Sequence, residues 1–273
     1  MNGRRILTAA IVVATCSTPL AGQTDSGRTI HRRPGLVARR DLATFGFFLG
    51  GAAIAFPLDA SIARKSQSTS LQRSGILGAV ADGFRNVGGP GTVVVTAGLF
   101  AVGKLCGCRG MARAGLHSME ALAIAAGTTQ ILKLGVGRAR PGPSAGLDPG
   151  ETGPDADIFR PFRGSGGYTA FPSGHTSAAF AVAAALSAEW PDAPGWVSPS
   201  LYGAASLVGL SRVYNNRHWA SDVIVGAALG TFIGRKVVEL QRGSGLSGHT
   251  APLIPSGVGV TAQGATVWWR LEF

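Results

Sequence analysis

The chain is poor in the residues that would place it in several common classes. Only three of its 273 residues are cysteine. Cys16 sits in an N-terminal apolar stretch, and Cys106 and Cys108 are too closely spaced for an easy unstrained bridge, so a disulfide framework is excluded. With no further cysteine pair and no neighbouring histidine, a zinc ribbon is excluded as well; small apolar residues at a helix end describe the Cys106 and Cys108 positions. Charged residues are 14% and aromatics 7%, which argues against a highly solvated surface. No Lys/Arg run interleaved with aromatics occurs, so nucleic acid is not an expected partner. A nucleotide-binding loop of the form G-x-x-x-x-G-K-[ST] is absent. No apolar stretch reaches the roughly 18 to 20 uninterrupted residues of an unambiguous membrane span.

What remains is a folded, basic chain. Hydrophobic residues make up 45%, and 25 Lys and Arg oppose 14 Asp and Glu, a surplus suited to an anionic partner such as acidic lipid or phosphate. Residues 1–21 read as an export signal: Arg4 and Arg5 form the positive region, Ile6 to Ala14 the apolar core, and Pro19-Leu20-Ala21 a cleavage site. The surplus persists without this leader, since Arg4 and Arg5 are its only charges.

Four regions follow: the leader at 1–21, a basic lead-in at 22–41, a helical domain at 42–238 and a tail at 239–273. Apolar, Gly/Ala-rich segments at 42–57, 91–105, 112–134, 174–190, 200–214 and 222–238 lack period-2 alternation and predict about six core helices, an all-α bundle. A Gly/Pro-rich loop covers 141–170 with Asp148, Glu151, Asp155 and Asp157, a length typical of a lid or binding element. Residues 58–90 are read as another loop. In the tail, Val258-Gly-Val and Thr266 to Phe273 look like short β segments.

Three segments concentrate functional groups. Lys133-Leu-Gly-Val-Gly-Arg138-Ala-Arg140-Pro141 closes a helix; Lys133 and Arg140, seven apart, could share a helical face, or simply complement the helix dipole. Phe171-Pro172-Ser173-Gly174-His175-Thr176-Ser177 opens one. Ser173 is a cap, Gly174 lets an anion approach the free N–H groups, and His175 could give a proton to a leaving group; an ordinary cap with a surface histidine also fits. The third runs from Ser211-Arg212 to His218 and Asp222. One turn apart, Asp222 could accept a proton from one imidazole nitrogen and leave the other as nucleophile, though such pairs are often structural. Arg212 offers a planar fork for phosphate oxygens. If successive helices alternate in direction, all three segments meet at one end of the bundle as an oxyanion pocket.

Lys133-x6-Arg140-Pro141, Pro172-Ser173-Gly174-His175 and Ser211-Arg212-x5-His218-x3-Asp222 resemble, in order, the three signature motifs of the type 2 phosphatidic acid phosphatase and vanadium haloperoxidase superfamily. The resemblance implies a phosphohistidine on His218, Asp222 as its orienter and His175 as the acid. It also implies phosphate binding by Lys133, Arg140, Ser173, Gly174 and Arg212. Arg138 and Arg217 lie outside the motifs. The expectation is a phosphatase of the phosphatase branch, acting on a lipid phosphate, lipid pyrophosphate or small phosphate ester without cofactor or metal. The alternatives are a vanadate-dependent haloperoxidase and a non-catalytic envelope protein that binds anionic lipid. Counting basic residues at the helix ends puts the motif-bearing end in the periplasm; a cleaved leader followed by six spans would turn it inward. A bundle in which some segments do not cross reconciles the two, and the expected location is periplasm-facing and associated with the inner membrane, with a soluble periplasmic domain as the alternative.

Overall fold

The computed structural model describes residues 8–11, 39–142, 155–163, 166–243, 257–261 and 264–270. The proposed cleavage site, Cys16, most of the basic lead-in, and Asp148 and Glu151 of the long loop lie outside them. The chain divides into two compact units, Leu36–Val238 and the two termini together.

The larger unit is all-α, as expected. Its helices are α1 (Arg39–Ala55), α2 (Asp59–Ser66), α3 (Thr69–Gln72), α4 (Gly75–Asn86), α5 (Thr92–Leu105), α6 (Arg109–Val136), α7 (Gly174–Glu189) and α8 (Val197–Tyr214). Helix α9 (Ala220–Gly243) begins here and runs beyond Val238. The six expected core helices correspond to α1 and α5–α9. The expected loop at 58–90 is instead helical over α2, α3 and α4. Three glycines within Gly75–Asn86 lower its intrinsic propensity, but the Ser74 hydroxyl caps the Leu77 N–H at 3.3 Å and α4 packs on α8. Tertiary contact outweighs propensity there. Between α4 and α5 the Val87–Gly91 segment kinks at Gly89 (φ −102°, ψ −108°).

Helix α7 is the axis of the unit. Ala179 through Leu186 are all buried, the signature of a helix enclosed on every side. Its small side chains admit α9 closely: a Cβ at Gly230 would lie 2.2 Å from the Ser177 carbonyl oxygen, and one at Gly234 2.3 Å from that of Ala181. Spaced four apart on one face, these glycines bring the two backbones into contact. At the end of α7 remote from Ser173, the Glu189 carboxylate meets His117 Nδ1 at 2.7 Å and Arg113 Nε at 3.0 Å, and Asp41 of α1 pairs with Lys236 of α9 at 2.7 Å.

Two helical stretches, Arg39–Ser66 and Gly75–Leu105 with 28 and 31 residues, are long and apolar enough to cross a membrane. Neither was a single apolar run in sequence, because a turn or a kink divides each. Phe47, Ile54, Ile76, Val94 and Leu105 stand largely exposed along them.

In the terminal unit, β1 (Thr8–Ile11), β2 (Gly257–Thr261) and β3 (Gly264–Arg270) form an antiparallel sheet in the order β1-β3-β2. Ala9 faces Trp269 and Val258 faces Val267. The described residues of the two tail segments expected to be β lie in strands, residues 271–273 falling outside the described residues, and part of the apolar N-terminal stretch supplies a third strand.

Truncating Glu189 leaves His117 buried without its partner, a change that typically costs about 3 kcal/mol. Glu189→Ala is therefore expected to lower the thermal midpoint of the detergent-solubilised protein by about 6–10 °C, read by differential scanning fluorimetry. An unchanged midpoint would show the cluster to be energetically idle.

Candidate active site

Helix α6 stops because Gly137 adopts the left-handed conformation (φ 59°, ψ 44°), with its N–H bonded to the Lys133 carbonyl at 2.9 Å. No other residue fits, since a Cβ there would sit 1.8 Å from the Arg160 carbonyl oxygen. The seven-residue helical register expected for Lys133 and Arg140 is consequently not formed. Arg140 reaches the site from the following loop, and the two cations meet at Thr169: Lys133 Nζ donates to its carbonyl, and Arg140 Nη2 to its hydroxyl at 2.9 Å.

Ser173 is the N-cap of α7, but its hydroxyl is 2.8 Å from the Thr176 hydroxyl and caps no backbone N–H. Its own N–H donates to the Asp222 carbonyl at 3.1 Å, tying the start of α7 to the start of α9. Gly174 and His175 face a cavity of about 500 Å³, together with Lys133, Arg140, Arg212 and His218. Six of the eight residues singled out in sequence thus line one chamber; Ser173 and Asp222 stand behind its wall, fully buried. Arg85, Thr129, Gln130, Asn215 and Arg217 also line it. Sequence reading missed Arg85 because it assigned 58–90 to a loop, and nothing in the motif spacing points to that residue.

Among the described residues, the lining includes no carboxylate. Arg212 Nε and Nη1 are buried without a hydrogen-bond partner among the described residues. Buried guanidinium donors are rarely left unsatisfied, and a planar fork of this kind matches a phosphate oxygen pair.

His218 lies in the α8–α9 turn. Its Nδ1 is 2.6 Å from the Ala170 carbonyl oxygen. A carbonyl can only accept, so Nδ1 carries the proton and Nε2 holds the lone pair. Asp222 Oδ2 is 4.0 Å from Nδ1, too long for the direct hydrogen bond expected from the one-turn spacing. Its oxygens are engaged elsewhere: Oδ1 by Arg138 at 2.6 Å and Oδ2 by the Trp219 N–H at 2.9 Å. Asp222 faces the imidazole as a nearby charge, while the Ala170 carbonyl sets the tautomer.

Burial, then Lys133, Arg140 and Arg212, depress the pKa of His218 well below its ordinary value. His175 is lowered to about 4 by burial, then by Arg212 and Lys133, and Lys133 to about 8 by burial and by Arg140. Both imidazoles are neutral at pH 7 in the free protein. The arrangement supplies cations for an oxyanion, an imidazole with a free Nε2 and a second imidazole beside it.

The family model for the PAP2 superfamily matches residues 114–246, which include Lys133, Arg140, His175, Arg212, His218 and Asp222. Over that stretch the chain is similar to the PAP2 superfamily. Over 64 residues it is 50% identical to the lipid A 1-phosphatase of Porphyromonas gingivalis, a match covering 23% of this chain and 14% of that relative's length. Its fold is similar to that of the transmembrane PAP2-type phosphatidylglycerolphosphate phosphatase from Bacillus subtilis, with TM-score 0.51 and 23% identity over 73% of this chain and 94% of that one. The structure of Aquifex aeolicus LpxE superimposes with TM-score 0.48 and 21% identity, over 67% and 95% of the two chains.

Because the His175 pKa is lowered on folding, the unfolded chain binds more protons between pH 6.5 and about 4. His175's share of stability is therefore complete above pH 6.5 and is lost as pH falls through that window. A bound phosphate offsets the surrounding cations and raises the His175 pKa. A histidine NMR titration is expected to give a midpoint near 4 in the free protein and a higher one with inorganic phosphate present. A midpoint that phosphate leaves unchanged would remove His175 from the anion site.

Proposed function

We propose that this chain is a phosphatase of the PAP2 superfamily that passes a phosphoryl group from an ester or diphosphate through His218 to water. The observation that carries the reading is the buried Arg212 fork, without a hydrogen-bond partner among the described residues, in a chamber whose described lining holds no acid and presents His218. His218 Nε2 attacks phosphorus while the bond to the leaving oxygen breaks. Lys133, Arg140, Arg212 and the N–H groups at Gly174 stabilise the charge on the three equatorial oxygens. His175, protonated once the anion is bound, gives its proton to the leaving oxygen. The phosphohistidine carries a positive imidazole, which the Asp222 charge 4.0 Å away stabilises. Water then attacks phosphorus, giving its proton to His175 and returning His218 to its neutral form.

Lipid phosphates or lipid diphosphates suit the exposed apolar surfaces of α1, α4 and α5, and the match to a lipid A 1-phosphatase supports a phosphorylated glycolipid as one member of that class. Two segments, Arg39–Ser66 and Gly75–Leu105, hold the protein at the inner membrane with the chamber toward the periplasm, after export directed by residues 1–21.

With purified protein in detergent, His218→Ala is expected to abolish phosphate release and the acid-labile phosphoenzyme trapped during turnover. Vanadate, a trigonal oxyanion mimic of the transferring group, is expected to inhibit competitively, and EDTA to leave the rate unchanged. Retention of more than a few per cent of activity by His218→Ala, or activity lost to EDTA and restored by a divalent metal, would overturn the mechanism. Bromide oxidation by peroxide and vanadate without phosphate release would assign the chamber to haloperoxidase chemistry. Hydrolysis of a membrane-impermeant phosphate ester by cells with only the outer membrane permeabilised tests the orientation; activity confined to lysed cells would reverse it.

A further inference from the structure

Arg138 lies outside the three motifs, yet it is among the largest fully buried side chains of the larger unit, 1% exposed. Its guanidinium donates to Asp222 Oδ1 at 2.6 Å, Asp59 Oδ2 at 2.8 Å, the Ser221 hydroxyl at 2.8 Å and the Ala156 carbonyl at 2.7 and 2.9 Å. The ring of Phe56 stacks under it with its centroid 4.8 Å away, and the Trp219 ring lies at 5.4 Å. Asp59 in turn accepts from both the backbone N–H, at 2.9 Å, and the hydroxyl of Ser221. The Arg138 carbonyl also accepts the Ala170 N–H at 3.0 Å, and Ala170 is the residue whose own carbonyl fixes His218 Nδ1.

Two independent lines therefore run from Arg138 to the imidazole. One passes through the side chain to Asp222 and through Asp222 to the Trp219 N–H, the residue after His218. The other passes through the backbone to Ala170. Asp59 is fully buried inside the apolar stretch Arg39–Ser66, where an acid is costly unless it is paired and has a purpose. Its partners are Arg138 and the first turn of α9, and none of its bonds serves α2 alone. Neither residue lines the chamber.

We infer that Asp59 and Arg138 are positioning residues for the reaction proposed above: Asp59 anchors Arg138, and Arg138 holds Asp222 and the Ala170 carbonyl so that His218 Nε2 is aimed at phosphorus. Because they act on the nucleophile and not on the bound anion, their loss lowers the rate of phosphoryl transfer and spares substrate binding. Because they act as one unit, their effects do not add.

Detergent-solubilised full-length protein carrying Arg138→Met, Arg138→Lys, Asp59→Asn or Asp59→Asn with Arg138→Met is compared with wild type for kcat, KM and folded fraction. Arg138→Met is expected to lower kcat by 100-fold or more with KM within threefold, Asp59→Asn to lower kcat about tenfold, and the double variant to match Arg138→Met. Arg138→Lys, which keeps the charge but cannot fork to both carboxylates, is expected to recover part of the loss. Should Arg138→Met fail to fold with two carboxylates left facing each other, the near-isosteric Asp59→Asn decides. A folded Asp59→Asn or Arg138→Met with wild-type kcat overturns the inference, as do losses that add in the double variant, fall equally on KM, or follow only the folded fraction. A wild-type protein that releases no phosphate from any ester refutes the proposed function itself and this inference with it; an active wild type matched by these variants refutes this inference alone.

Discussion

Like charge gathered in one place is the constraint on which the larger unit is built. Lys133, Arg140, Arg212, Arg217 and Arg85 converge on a chamber with no carboxylate among the described residues of its lining, an arrangement that repels itself and loses solvation. The fold tolerates it by placing acids behind the wall. Asp222 and Asp59 stand a layer away from the chamber, bound through Arg138, so that the field is moderated by acids that do not line it. Burial, reinforced by the same cations, holds the pKa of His218 well below its ordinary value, which suits the nucleophile proposed above.

The rest of the helical unit serves that placement. Helix α7 is sheathed in alanine so that α9 can lie against it backbone to backbone at Gly230 and Gly234, and their first turns are joined by the Ser173 N–H to Asp222 carbonyl bond. Gly137 ends α6 early enough for the chain to turn back past Ala170. These close approaches leave few degrees of freedom near the imidazole. The phosphoryl transfer proposed above would draw on such preorganisation, because that reaction gains chiefly from positioning and charge stabilisation.

Much of this was legible in the sequence, and the limits were physical. Helices α6 to α9 carry long Gly/Ala-rich apolar runs, so their existence was plain, and the motif residues Lys133, Arg140, Gly174, His175, Arg212 and His218 reach one chamber. The helices between 58 and 90 were read as a loop; Gly75, Gly78 and Gly83 lower the intrinsic propensity of α4, and packing on α8 sustains it all the same. Arg85 was hidden with them.

Sequence alone determined which residue types are available to the site and the order in which they occur, because helical periodicity and motif spacing are local properties of the chain. Only the tertiary structure decided which atoms meet. The one-turn spacing of His218 and Asp222 suggested a direct hydrogen bond, but the Ala170 carbonyl, 48 residues away in the chain, takes the Nδ1 proton, and Arg138 takes Asp222. Arg138 and Asp59 are 79 residues apart, and no periodicity links them. A buried charge finds its partner wherever the fold delivers one, and that is settled by long-range packing that neither residue's neighbours encode.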